Sequence, residues 1–486
     1  MSEYLLETPK GKWEVVVGLE IHCQIKSKSK IFSGASTEFG DDPNQNVSFV
    51  DAGMPGMLPT LNKECVHQAV KTGLGLNAKI NKFSQFSRKN YFYADLPQGY
   101  QITQDKYPLV GEGEVSIDLS DGTTKKIGIE RIHIEQDAAK SIHDLSPNKS
   151  FIDFNRCGVG LMEIVTKPDF RSPEEAGAFL RKLRSIVRYL DTCDGNMDEG
   201  SMRCDASISI RPLGEKELRP RCEIKNVNSV KFAMQAIENE AKRQLEVYES
   251  GGYIEQETRQ FDQTTGASKF LREKEFAHDY RQFPEPDLPP LILTDEYIEK
   301  IKTEMIELPD AKKQRYIESL GLTPYDAMVI CENREVAEFF EKAAQGHDAK
   351  KVANWMMGDF FAMLNKKKLD IQNSPVSAEN LGNLVELISK EIISGKIAKD
   401  VFEIMSETGE NPEKIVEERG LKQVTDTGAI EKIIDEVISS NPDNVSAYKN
   451  GKTNLAGWFV GQVLKQSQGK ANPGIVNKLV REKLDS

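Results

Sequence analysis

Four segments in the first half of the chain alternate between apolar and polar positions. In residues 18–25, leucine, isoleucine and cysteine side chains alternate with Glu20, His22 and Gln24. The same pattern recurs at residues 131–137, 203–211 and 221–225. Because a period of two places successive side chains on opposite faces of a strand, each segment is predicted to be a β-strand with one apolar and one polar face.

The patterns along the chain predict an α+β fold with three parts. Residues 1–295 are rich in short alternating segments, glycines and turn residues, which predicts a sheet-rich domain. A cluster of four prolines within residues 284–290 marks its end, since proline continues neither a helix nor a central strand. Residues 296–408 follow a helical period and predict a helical domain. Residues 409–486 predict a small helical tail.

Composition narrows the classes of protein that this chain can be. Its formal net charge is -12, so any contact with nucleic acid is expected to be local. It has no apolar run long enough for a transmembrane helix and no basic, apolar leader, so a soluble, cytoplasmic protein is expected. The seven cysteines form no C-x-x-C pair, which predicts free thiols and no structural zinc.

The C-terminal residues 449–486 are basic within this acidic chain. Glu482 and Asp485 are the acids there, against seven cations. The cations are Lys449, Lys452, Lys465, Lys470, Lys478, Arg481 and Lys483. Asn472 and Pro473 predict the cap and first residue of a final helix. The tail therefore presents the kind of patch that binds a polyanion.

The polar faces of the four predicted strands carry carboxylates among cations. Glu20 and His22 project side by side, roughly 6–7 Å apart at the backbone, so both can reach one cation. Carboxylate oxygens with one imidazole suit Mg²⁺ or Mn²⁺ better than structural zinc. A solvated outer sheet face gives the same pattern on one or two strands, whereas four strands favour a shared site. No P-loop or G-x-G-x-x-G motif is present, so a nucleotide would bind in another mode.

Long motifs along the whole chain resemble the B subunit of the three-subunit glutamyl-/aspartyl-tRNA amidotransferase. They are VVVGLEIH (15–22), FSRKNYFYADLPQGYQITQ (86–104), RIHIEQDAAKSIHD (131–144), DFNRCGVGLMEIVTKPDFRSPEEA (153–176), GSMRCDASISIRP (200–212), EIKNVNSVKF (223–232), HDYRQFPEPDLPPL (278–291) and GWFVGQVLKQSQGKANP (457–473). The resemblance implies a sheet-rich cradle domain that holds the metal site, a helical domain and a tail that touches tRNA.

The resemblance also implies an activity and partners. Members of this family are carbon–nitrogen ligases that use ATP to phosphorylate the side-chain carboxylate of Glu-tRNA(Gln), and often of Asp-tRNA(Asn). Ammonia released from glutamine by a glutaminase A subunit then displaces phosphate, and a small C subunit completes the heterotrimer. The chain lacks a clear glutaminase signature of its own, which agrees with dependence on a partner.

Carried onto this chain, the resemblance assigns the metal and catalytic positions. The metal ligands implied are Glu20, His22, Glu135, Gln136, Asp205 and Glu223. Arg88, Lys89, Arg203 and Lys225 are candidates for phosphate or carboxylate contacts, with ordinary surface cations as the alternative. Gln136 replaces an acid found in some relatives, which leaves the number of ions open. Cysteines that look zinc-binding in many relatives correspond to Ser33, Ala35, Ser48 and Asp51, so no zinc is expected.

Two other functions fit parts of the sequence. A non-catalytic scaffold would present tRNA to an enzyme partner, but it would have no use for acidic residues such as Glu20 and Asp205. A metal-dependent phosphohydrolase would use the same carboxylates without partner chains or aminoacyl-tRNA. The sequence leaves three alternatives open for the substrate: Glu-tRNA, Asp-tRNA or both.

Overall fold

Strand β2 (Gly11–Gln24) lies in the middle of the largest sheet, and its alternating sequence explains why. Leu19, Ile21 and Cys23 are buried, while Glu20 and His22 on the other face are only partly covered. The computed structural model describes residues 4–143, 145–273, 280–423, 427–467 and 470–485, with the backbone alone at Asn226. It confirms the α+β class predicted from the sequence.

The strands of the described residues form one large sheet and three small ones. They are β1 (Leu5–Thr8), β2, β3 (Phe83–Ser84), β4 (Phe86–Asn90), β5 (Tyr100–Gln104), β6 (Gly113–Asp118), β7 (Thr124–Gln136), β8 (Lys140–Ile142), β9 (Phe151–Asp153), β10 (Gly160–Thr166), β11 (Met202–Pro212), β12 (Cys222–Val227), β13 (Glu257–Phe261), β14 (Ser268–Glu273), β15 (Phe283–Pro284) and β16 (Leu291–Ile292). The large sheet has the order β14-β13-β12-β11-β2-β10-β7-β6, and β1 also pairs with β2. Its neighbours are antiparallel except for β12 and β13. The small sheets are β15-β4-β5, β16-β3 and β8-β9.

Helices of the first unit pack on the apolar face of the large sheet, opposite the face that carries Glu20 and His22. They are α1 (Lys63–Gly75), α2 (Pro173–Tyr189), α3 (Val230–Glu249) and α4 (Asp295–Thr303). In α2, Ser172 caps the amide of Glu175 and Pro173 opens the first turn, as helix starts favour. Its Leu180, Leu183 and Val187 recur at helical spacing and share one core with Ile21 and Ile208 of the sheet.

The described chain divides into two compact units, Met1–Leu308 and Pro309–Ser486. The second unit is helical. Its helices are α5 (Pro309–Leu320), α6 (Pro324–Cys331), α7 (Arg334–Ala343), α8 (Ala349–Trp355), α9 (Phe361–Lys367), α10 (Ala378–Ser389), α11 (Gly395–Thr408), α12 (Pro412–Glu418), α13 (Thr427–Ser439), α14 (Pro442–Lys449), α15 (Leu455–Gln466) and α16 (Pro473–Asp485). A π-helical turn, Met356–Phe360, joins α8 to α9, and Ile371–Asn373 is a 3₁₀ turn.

The second unit contains two hydrophobic clusters. The first extends from Tyr316 to Val416, and the second from Ile430 to Leu484. The predicted cap of α16 is confirmed, because Asn472 Oδ1 accepts from the amides of Gly474 and Ile475 at 2.9 and 3.1 Å. The division into domains 1–295, 296–408 and 409–486 stays a prediction. No helix within the described ranges combines the length and apolar character needed to cross a bilayer.

Candidate active site

The pairing of β2 with its two neighbours brings the polar residues of three strands together. Glu20 lies opposite Asp205 of β11. His22 lies opposite Arg203 of β11 on one side and Glu163 of β10 on the other. Residues directly opposite in antiparallel strands have Cβ atoms about 4.5–5.5 Å apart and point to the same face. These side chains therefore share the face that the helices leave open.

A first group of ligand atoms surrounds Glu163. Its Oε2 lies 3.5 Å from His22 Nε2 and 3.1 Å from His133 Nε2. His22 Nε2 is also 3.6 Å from Glu20 Oε1, and His133 Nε2 is 3.5 Å from Glu135 Oε2. The buried Thr103 hydroxyl of β5 donates to Glu135 at 2.8 Å and so orients this carboxylate.

A second group lies on the β12 side of Glu20. Glu20, Asp205 and Glu223 bring three carboxylates together there. Lys225 Nζ is 2.6 Å from Asp205 Oδ2 and 3.2 Å from Glu223 Oε1. Burial would lower the pKa of Lys225, but the charges of Asp205, Glu223 and Glu20 raise it above its ordinary value. Lys225 therefore stays a cation and offsets part of the negative charge.

The donor set fits divalent ions. Three trios each offer ligand atoms within 4.8 Å of one another. The trios are Glu20–His22–Glu163, His133–Glu135–Glu163 and Glu20–Asp205–Glu223. Glu20 and Glu163 each belong to two trios, so neighbouring ions could share a ligand. Carboxylate oxygens with imidazole suit Mg²⁺ or Mn²⁺.

The ionisable groups of the first group shift one another's pKa values. Burial would lower the pKa of both histidines, but hydrogen bonding to Glu163 and the surrounding carboxylates raise it to about 9 for His22. The charges of Glu163 and Glu135 likewise raise the pKa of His133 to about 10. For Glu163, burial is outweighed by both imidazoles, and its pKa lies well below the usual range. Burial and the charge of Glu163 raise the pKa of Glu20. A metal ion bound here would displace the imidazole protons, because metals bind neutral imidazole.

The predicted ligands therefore converge, with Gln136 as the exception. Glu20, His22, Glu135, Asp205 and Glu223 all belong to the trios. Strand alternation turns Gln136 away from Glu135, and its side-chain amide donates to the carbonyl of Tyr100 at 3.4 Å. Its side chain is thus occupied with the backbone of β5.

Sequence reasoning missed Glu163 and did not assign His133 a role. The signal for Glu163 is a single carboxylate inside a strand, Gly160–Thr166, whose remaining residues are apolar, small or hydroxyl-bearing. A charge in so apolar a strand is rarely buried without a partner. Recognising its partners required the strand order, because Glu163 lies between His22 of β2 and His133 of β7.

Of the four cations singled out in the sequence, Lys225 and Arg203 lie at the carboxylates. The Arg203 guanidinium donates to Asp137 Oδ2 at 2.7 Å, and Gln24 donates to the same oxygen at 2.9 Å. Although burial opposes it, the charge of Arg203 helps to hold the pKa of Asp137 below its usual value. The Nε atom of Arg203 is buried and has no hydrogen-bond partner within the described residues. It is a donor available to an anionic ligand.

Arg88 and Lys89 occupy opposite faces of β4. Arg88 forms two hydrogen bonds with Glu285, at 2.7 and 2.9 Å, and lies 4.2 Å from the centre of the Tyr100 ring. It is therefore held away from the carboxylate trios. Lys89 lies opposite Gln101 in the pairing of β4 with β5. Its Nζ lies 4.7 Å from the centre of the Tyr280 ring.

A cavity of about 500 Å³ adjoins the second group of carboxylates. Gly18, Glu20 and Ser207 line its floor, and the segment with Arg219 and Arg221 lines its side. Gly18 and Ser207 continue the polar face of β2 and β11 with small residues, which leaves space there. The cavity thus places Arg219, Arg221 and the carboxylate of Glu20 around a volume suited to a small polar ligand.

Ser33, Ala35, Ser48 and Asp51, the positions considered above for zinc, lie around a buried ion pair. Lys30 Nζ is 3.3 Å from Asp51 Oδ2, and both side chains are buried. The Ser33 hydroxyl and the Ser48 amide donate to Asp51 at 3.1 and 2.9 Å. Lys30 also donates to the carbonyls of Asn46 and Phe154. In this chain the ammonium of Lys30 and the carboxylate of Asp51 therefore hold together the loop residues 30–51. All seven cysteines of the chain are buried free thiols.

Comparison with known proteins shows the family to which this chain belongs. Residues 15–299 match the model of the GatB/GatE catalytic domain, and residues 338–484 match that of the GatB domain. The chain is 61% identical over 481 residues to the B subunits of the aspartyl/glutamyl-tRNA(Asn/Gln) amidotransferases of Paramagnetospirillum magneticum and Rhodospirillum rubrum. It is 59% identical to that of Acidiphilium cryptum. Each match covers 99% of both chains. The chain therefore belongs to the family of aspartyl/glutamyl-tRNA(Asn/Gln) amidotransferase B subunits.

Proposed function

We propose that this chain is the ATP-dependent kinase and transamidase subunit that converts misacylated Glu-tRNA(Gln), Asp-tRNA(Asn) or both into the amidated forms. The observation that supports it is the sharing of Glu20 between two trios of ligand atoms on one sheet face. A scaffold that only presents tRNA gains nothing from gathering five carboxylates and two imidazoles, since burial of charge is costly.

The proposed reaction has two steps. An oxygen of the substrate side-chain carboxylate attacks the γ-phosphorus of ATP, and the bond to the β-phosphate oxygen breaks to release ADP. Ammonia then attacks the carbonyl carbon of the acyl phosphate, phosphate leaves, and the nitrogen loses a proton to give the amide. Ammonia must arrive neutral, because ammonium has no free electron pair with which to attack. A glutaminase A subunit would supply the ammonia, and a small C subunit would complete the heterotrimer.

The residues of the site have separate proposed roles. Glu20, His22, Glu163, His133, Glu135, Asp205 and Glu223 would hold Mg²⁺ or Mn²⁺. When bound, such an ion neutralises phosphate and carboxylate charge so that two anions can approach. Lys225 lies between Asp205 and Glu223 and would offset charge developing on the transferred phosphoryl group. The unpartnered Nε of Arg203 would donate to an anionic oxygen, and the cavity beside Gly18 would receive the nucleotide.

The test is to co-express this chain with A and C subunits and to measure ATP- and glutamine-dependent amidation of each misacylated tRNA. Glu20→Ala and Asp205→Ala should abolish phosphorylation of the charged tRNA but leave tRNA binding unchanged. Glu130→Ala is the control, because Glu130 is an exposed residue of β7 outside the trios. Full phosphorylation by both site variants would refute the proposal and favour a scaffold. Turnover of ATP without partners or charged tRNA would favour a phosphohydrolase.

A further inference from the structure

Three aromatic residues in a row follow strand β4, and two of them are exposed. Phe92 is 81% exposed and Tyr93 is 53% exposed. Phe92 lies against Gly99, where a Cβ atom would come within 3.0 Å of the Phe92 ring. Exposed apolar side chains that lie together often mark a binding surface. Phe92 and Tyr93 are called the aromatic rim below.

One cation contacts the aromatic rim, and a second lies beside the neighbouring Tyr91. The Arg272 guanidinium of β14 donates to the Tyr93 hydroxyl at 2.6 Å. Lys89 Nζ lies near the rings of Tyr280 and Tyr91, at 4.7 and 5.8 Å from their centres. Asn90 holds the neighbouring turn by donating to the carbonyls of Tyr280 and Arg281. The rim therefore combines exposed rings with fixed positive charge.

The rim is continuous with the carboxylate site. Tyr91, next in sequence to Phe92, donates to Gln101 Oε1 at 3.3 Å. Gln101 in turn donates to the carbonyl of Gln136 at 2.8 Å, one residue from Glu135. Burial and the charge of Glu135 raise the pKa of Tyr91, so the phenol is close to that carboxylate. Tyr91 and Gln101 thus connect the rim to β7, the strand that carries Glu135.

We propose that the aromatic rim, with Lys89 and Arg272, binds the unpaired 3′ end of the aminoacylated tRNA and stacks a terminal base on Phe92. This inference rests on the proposed function and names a binding surface for its RNA substrate. Aromatic rings beside cations are what single-stranded nucleic acids require, because every base has a π-face and every linkage a negative charge.

Geometry favours the RNA end over ATP as the occupant. The cavity near Gly18 has a volume of about 500 Å³ and arginines at its side, which suits a small nucleotide. The rim is an open surface, which suits a base carried by a large polymer whose remaining bulk stays outside.

The test compares Phe92→Ala, Phe92→Trp and wild type in the full complex. Alanine substitution removes a stacked ring, so the KM for charged tRNA and the Kd for uncharged tRNA should each rise roughly tenfold. Tryptophan should retain wild-type values, and the KM for ATP should not change. Phe39→Ala is the matched control, because Phe39 is 73% exposed and lies outside the rim.

Trimming the unpaired nucleotides from the tRNA identifies what Phe92 touches. With trimmed, uncharged tRNA, wild type and Phe92→Ala should bind equally well. A loss that persists after trimming, a raised KM for ATP, or Phe92→Ala values equal to those of Phe39→Ala would each overturn the inference. Because binding of uncharged tRNA needs no phosphorylation, it tests the rim even if the proposed chemistry fails.

Discussion

Glu163 Oε2 of β10 lies 3.1 Å from His133 Nε2 of the neighbouring strand β7. The same oxygen is 3.5 Å from His22 on the other side, so one carboxylate joins two strands that are distant in sequence. Two imidazoles with raised pKa values balance this negative charge. A divalent ion would take the same place electrostatically.

Replacing Glu163 with glutamine tests this central carboxylate. Glu163→Gln keeps the shape but removes the charge and one oxygen ligand. Loss of an outer partner of a metal site costs about 10–100-fold, so loss of a direct ligand should lower amidation by more than about 100-fold. The rate should be measured at rising Mg²⁺, where the variant should need more ion. Glu130→Gln is the control, and a wild-type Mg²⁺ dependence for Glu163→Gln would contradict the assignment.

Thr103 is expected to raise the Mg²⁺ affinity of the site by orienting the carboxylate of Glu135. Thr103→Val removes the hydroxyl that donates to Glu135 at 2.8 Å while keeping a side chain of similar volume. We expect a loss of roughly 10–100-fold in Mg²⁺ affinity, read from the Mg²⁺ concentration at half-maximal rate. Thr103→Ser retains the donor and should stay close to wild type. Equal Mg²⁺ affinities for the valine and serine variants would show that the hydrogen bond has no role.

The buried pair of Lys30 and Asp51 should be important for stability. Lys30→Met leaves Asp51 without its cation, and breaking a buried pair in this way costs about 3–5 kcal/mol of unfolding free energy. Denaturant unfolding followed by tryptophan fluorescence measures the change. Lys12→Met removes an exposed pair with Glu7 at 2.8 Å and should cost far less, because water and salt screen exposed charges. Similar losses for both variants would mean that burial of the pair does not matter.

The basic tail should contribute salt-dependent affinity for tRNA. Ile415 and Val416 of α12 belong to the first cluster of the second unit, so a truncation after Gln423 removes the last cluster without cutting α12. It should raise the KM for tRNA and leave ATP hydrolysis intact. An unchanged KM would exclude a role for the tail in binding.

Single exposed cations of the tail can be tested in the same assay. Lys478→Gln or Arg481→Gln should flatten the slope of log affinity against log salt by about 1 if the side chain contacts a phosphate. Lys483→Gln is the comparison, because Lys483 already pairs with Asp435 within the tail. A larger change for Lys483→Gln than for the other two would contradict this order.

Local sequence predicted much of the site. The alternation in β2 placed Glu20 and His22 on the polar face, and those in β11 and β12 did so for Asp205 and Glu223. The structure brings all four into the trios. The prediction of the faces succeeded because the face on which a strand residue lies depends only on the pleat, which has a period of two.

Other features depended on which strands are neighbours. Glu163 meets His22 and His133 only because β10 lies between β2 and β7. Arg88, adjacent to Lys89 in sequence, is held by Glu285, which lies 197 positions away in the chain. Residue patterns within a strand carry no information on such distant partners.

The sequence by itself determined that four alternating segments are strands and which of their residues share a polar face, because both follow from interactions between near neighbours in the chain. Only the tertiary structure decided that Glu20 would serve two clusters, that Glu163 would join two histidines and that Gln136 would turn to the backbone of β5. Strand order and register arise from packing between distant segments, and a shift of one residue would move every side chain of a strand to the other face.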